Sequence, residues 1–153
     1  MLVYLCWIGL ILSGIILVYQ DFKSRLINTW LIILFTLSNV CLYLISYPIY
    51  QFIENTIFCI SYFLFCYLIL HLYFYLKTKT FQKILDTKLG SGDILIFLSI
   101  GICIEPIHLI FFFTGAFIIS IISFAIFFRS KPSIPLVGLT IPCYWVYFLI
   151  IQN

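Results

Sequence analysis

Long apolar runs separated by short polar punctuation dominate the chain. They fall at about 2–20, 29–47, 55–76, 89–104, 106–128 and 135–151, each near the length that crosses a hydrocarbon core of ~30 Å at ~1.5 Å per helical residue. The pattern predicts an all-α, polytopic integral membrane protein of about six transmembrane helices, residues 1–153 forming one membrane-embedded domain. Between Ile94 and Phe128 the single charged residue is Glu105, so one overlong helix competes with two shorter ones. The Glu105-Pro106 step favours two, because the residue before a proline is disfavoured in helix.

The positions of charge set the orientation. All eight basic residues lie in three places: Lys23 and Arg25; Lys77, Lys79, Lys83 and Lys88; Arg129 and Lys131. The connections around Pro48 to Glu54 and around Glu105 to His108 carry no lysine or arginine. With six spans the basic segments share one face, which the positive-inside rule makes cytoplasmic, and both termini are then external. With five spans, Arg129 and Lys131 would be stranded outside. Residues 77–88, with Phe81, Ile84 and Leu85 against Lys79, Lys83 and Lys88, suit either an amphipathic segment lying along the lipid headgroups or a solvated loop.

Composition agrees with the pattern and removes other classes. The chain is 65% apolar, 20% aromatic and 8% charged, far from the quarter or so of charged residues that a soluble domain turns to water. The net charge of +3 is a topology signal, and no nucleic-acid partner is expected. The six cysteines contain no CxxC pair, and all lie in apolar runs, where thiols behave as small apolar groups. No metal site and no cofactor are expected. Residues 1–20 lack the basic start and small-residue cleavage site of a signal peptide, and more spans follow.

Three of the five acidic residues, Asp21, Asp86 and Asp93, fall on the cytoplasmic side. Asp21 directly follows the first apolar run, and Asp93 stands in Gly90-Ser91-Gly92-Asp93 at the entrance of the fourth. Ionisable groups bordering a span are candidates for function. If the first and fourth helices pack together, the two carboxylates can share a water and a proton. One would activate the water as general base while its protonated partner polarises a peptide carbonyl and helps protonate the leaving amine. Gly90 and Gly92, lacking Cβ atoms, would allow unusual dihedrals or a close backbone approach beside Asp93.

The tract Asp21-Phe22-Lys23-Ser24-Arg25-Leu26-Ile27-Asn28 resembles the cytoplasmic aspartate segment of type IV prepilin peptidases. Gly90-Ser91-Gly92-Asp93 resembles that family's GxGD motif, and Ile134-Pro135-Leu136-Val137-Gly138-Leu139 is similar to its proline-containing start of the last helix. Two positions depart from the family pattern: Ile27 stands where a proline is usual, and Leu95 where a lysine is frequent. The resemblance implies a membrane aspartic endopeptidase that removes the basic leader of prepilin or pseudopilin-like proteins at the cytoplasmic boundary of the inner membrane. It assigns Asp21 and Asp93 as the catalytic pair, Gly90 and Gly92 as motif glycines and Asn28 as a supporting residue. A short form is expected, without the CxxC-bearing methyltransferase region of many bacterial members.

The sequence leaves two alternatives open. A presenilin-type GxGD protease would cut helices within the bilayer, but that group pairs its first aspartate with a preceding tyrosine, and here Gln20 precedes Asp21. A transporter or non-catalytic assembly component would use the aspartates for proton relay or helix pairing. Transport acids usually lie nearer the midplane. His71 and His108 read as interfacial or structural, and Glu54 and Glu105 border the external face.

Overall fold

The computed structural model of the chain describes residues 2–24, 27–79, 90–127 and 135–151. Six helices fill them: α1 (Leu2–Lys23), α2 (Thr29–Ser46), α3 (Ile49–Thr78), α4 (Ser91–Gly101), α5 (Pro106–Phe127) and α6 (Leu136–Ile151), and the described residues contain no strand. Four of these, α1, α2, α3 and α5, are long and apolar enough to cross a membrane, while α4 and α6 are shorter apolar helices. Exposed Ile57, Ile60, Leu64, Phe65 and Leu68 along α3 give the bundle a perimeter suited to lipid. The protein is an all-α membrane protein.

Local chemistry sets the breaks. Asn28 caps α2, its side-chain oxygen accepting from Trp30 N at 3.0 Å, and its own N–H donates to Gln20 Oε1 at 3.1 Å, which ties the α1–α2 connection back onto α1. Extended Tyr47 precedes Pro48, which stands at the start of α3. Pro106 occupies the first position of α5, where its missing N–H costs nothing. The expected break at Glu105-Pro106 is therefore present.

Two expected boundaries are corrected. The third helix does not begin near 55 but at Ile49, running 30 residues. Its polar start (Gln51, Glu54, Asn55) reads as a connection in the sequence, yet Asn55 is buried and its Nδ2 donates to Tyr43 Oη at 2.8 Å. The fourth does not span 89–104: α4 has only 11 residues. Backbone at membrane depth must be satisfied internally, and the last four carbonyls of α4 all are. Leu98 O accepts from Ile102 N (3.1 Å), Ile100 O from Cys103 N (3.1 Å) and Gly101 O from Ile104 N (3.2 Å). Ser99 O accepts from the Asn39 side chain at 2.9 Å.

The helices alternate in direction. Trp7 meets Phe148 edge-on at 5.0 Å, and Asp21 meets Gly138 at the other end, so α1 and α6 are antiparallel over their length. Phe63 stacks on Phe97 at 6.2 Å and Phe113 packs against both, binding α3, α4 and α5. The described basic residues Lys23, Lys77 and Lys79 sit at the Asp21 end of the bundle, whereas Glu54, Glu105 and the described chain ends lie at the opposite one. Arg25, Lys83, Lys88, Arg129, Lys131, Asp86 and most of the 77–88 segment lie outside the described residues.

At Gly101, α4 lies close against Cys59 of α3. A Cβ there would sit 2.5 Å from Cys59 Sγ, in the fully buried core. Gly101→Ala is expected to cost about 1–3 kcal/mol by overpacking, seen as a lower melting temperature in detergent. Adding Cys59→Ala removes the obstructing sulfur and should recover part of that loss; no recovery would mean that the strain lies elsewhere.

Candidate active site

Asp21 lies in the last turn of α1 and is 4% exposed. Burial of a carboxylate requires partners, and one comes from the start of α6. Pro135 O takes the N–H of Leu139 at 3.2 Å, which leaves the N–H groups of residues 136–138 without intrahelical acceptors. Gly138 N donates to Asp21 Oδ2 at 2.6 Å in a buried setting. The positive end of the α6 dipole adds to this charge-assisted bond. Close approach requires glycine here, since a Cβ on Gly138 would lie 2.7 and 2.9 Å from Phe22 ring carbons and 3.3 Å from Asp21 Oδ2. Pro142 inside α6 has no N–H to offer the Gly138 carbonyl, so the helix lacks one backbone rung beside the Asp21 contact.

Asp93 is the third residue of α4 and half-buried. Its N–H donates to Gly90 O at 3.1 Å, closing the first turn. The motif glycines do not adopt unusual dihedrals: no described glycine has a positive φ, and Gly90 has φ −67°. Their service is space. A Cβ at Gly90 would stand 3.1 Å from Asp93 Oδ2, so the side chain folds back over its own helix start. At Gly92 a Cβ would meet Ile27 Cδ1 at 3.4 Å, an ordinary contact, which shows the α1–α2 connection resting against the entrance of α4.

The site residues therefore share one end of the bundle. The helices bearing the two aspartates are not each other's main partners, however: α1 packs chiefly on α2 and α6, and α4 on α2 and α3. Direct packing of α1 on α4 is therefore not a main contact of the bundle; Ile27 stands against the α4 entrance at Gly92, and the α6 start stands against Asp21. Asn28 is exposed and caps α2 without reaching the carboxylates in any described bond, so its support is to the turn that follows Asp21. Among the described residues no group of three histidine, cysteine or acidic side chains is placed to hold a metal.

Sequence reasoning passed over Asn39, Ser99 and Tyr144. Asn39 is fully buried at mid-bundle, donating to Ser99 O and accepting from Tyr144 Oη at 2.6 Å. The Thr36 and Ser99 hydroxyls also pair between α2 and α4. The signal was present, since Asn39 is the one carboxamide within the 29–47 run, and polar groups in a span need a stated partner. Comparison with protein families, with characterised proteins and with solved structures returns no match to this chain.

Proposed function

We propose that the protein is a membrane aspartic endopeptidase that removes the basic leader of prepilin-like proteins at the cytoplasmic face of the inner membrane. The observation that carries this reading is the convergence of Asp21 and the GxGD aspartate Asp93 on one end of the bundle, with Asp21 buried against the α6 amide. A water between the carboxylates, drawn together with substrate in place, would attack the peptide carbonyl. One aspartate takes the water's proton while the other, protonated, hydrogen-bonds the carbonyl oxygen, and the departing amine then receives a proton. Lys23, Lys77 and Lys79 at this end match the cytoplasmic side expected from the positive-inside rule.

The test is co-expression with prepilin-like proteins from the same genome, following leader removal by a mobility shift and by sequencing the new amino terminus. Cleavage after a glycine supports the reading, and intact substrate with every candidate rejects it. The Asp21–Gly138 bond specifically favours a second reading, in which Asp21 only pins α1 to α6 in a non-catalytic assembly component. The two differ at Asp21→Asn, which keeps an acceptor for the amide but removes the charge.

A further inference from the structure

We infer that Asn39 is a positioning residue for the carboxylate pair, its carboxamide fixing the height of Asp93 against that of Asp21. This rests on the peptidase reading. Asn39 is 0% exposed and both ends of its side chain are used: Nδ2 donates to Ser99 O at 2.9 Å, and Oδ1 accepts from Tyr144 Oη at 2.6 Å. Ser99 belongs to α4, the helix that carries Asp93, while Tyr144 belongs to α6, whose Gly138 amide holds Asp21.

The two arms are equal. Ser99 lies six residues after Asp93 and Tyr144 six after Gly138, and α4 and α6 run in the same direction, so each arm spans about 9 Å along its helix. One carboxamide on α2 thus levels the α4 entrance with the α6 entrance. The α6 arm contains Pro142 and lacks a backbone rung there, so α6 is fixed on either side of that gap, by Asp21 at Gly138 and by Asn39 at Tyr144. Ser99 O is one of the terminal carbonyls of α4, and Asn39 is the donor that satisfies it. Sliding α4 along α2 shifts Asp93 at the expense of the Asn39–Ser99 bond, and sliding α6 past Asn39 shifts the Gly138 amide at the expense of the Asn39–Tyr144 bond.

The test compares Tyr144→Phe, which removes one hydroxyl and keeps the ring, and Asn39→Leu with Tyr43→Phe. The last cuts a similar buried bond, from Asn55, that touches neither α4 nor α6. Nitroxides on unnatural ketone residues at exposed Ser24 and Ser91 report the spacing across the site in nanodiscs, and prepilin-like peptide kinetics report turnover. Tyr144→Phe and Asn39→Leu should move and broaden the distance distribution and lower kcat by about 100-fold, as for a small misplacement of catalytic groups, with KM unchanged. Tyr43→Phe should leave both readouts at the wild-type values. Unchanged distances in both Tyr144→Phe and Asn39→Leu overturn the inference. Distances that move in a protein whose wild type cuts nothing support the brace and reject the peptidase reading.

Discussion

Asp21→Asn is expected to abolish leader removal while leaving the bundle folded, whereas Asp21→Leu is expected to lose both activity and stability. The reason lies in the bond to Gly138 N at 2.6 Å. Asparagine presents a neutral oxygen at the same place, so the amide at the α6 start keeps an acceptor, but Asp93 is left without the second carboxyl that the base-and-acid pair requires. Leucine leaves that N–H buried without a partner, which costs about 1–3 kcal/mol. Melting temperature and leader cleavage, measured on both variants, separate the roles. If Asp21→Asn cleaves at the wild-type rate, Asp21 is a packing residue and the second reading is right.

Gly138→Ala has the next largest expected effect. The added methyl would enter the space of the Phe22 ring at 2.7 and 2.9 Å and crowd Asp21 Oδ2 at 3.3 Å. Either α6 retreats, carrying its amide away from Asp21, or Phe22 turns away and the new methyl still presses on the Asp21 oxygen. Overpacking of this kind costs about 1–3 kcal/mol, and the displaced aspartate should lower kcat by about 100-fold. Shrinking the obstruction with Phe22→Leu in the same chain should restore part of the activity. Cleavage by Gly138→Ala at the wild-type rate would show that the close contact is not needed.

The helices that sequence periodicity found are those whose ends carry their own signals. Pro106 starts α5, Asn28 caps α2, and the apolar runs do the rest. Where polarity alone suggested a connection, at Gln51 to Asn55, it misled, because Asn55 turns inward to Tyr43 and the helix continues through it. The early end of α4 was not visible along the chain, since one of the carbonyls it leaves open, Ser99 O, is taken by Asn39, sixty residues away in sequence. Similarly, the GxGD spacing pointed to Asp93, but a partner of Asp21 is a backbone amide 117 residues away. A backbone donor has no residue type by which sequence could single it out, and Gly138 stood out only as part of a proline-containing tract.

The most direct test of the central claim is cleavage of a prepilin-like peptide by purified protein in liposomes, comparing wild type with Asp93→Asn and locating the cut by mass spectrometry. The account predicts one cut after a glycine with the wild type and none with Asp93→Asn at equal folded protein. Cleavage that persists in Asp93→Asn, or a wild type that leaves the peptide whole, would contradict it.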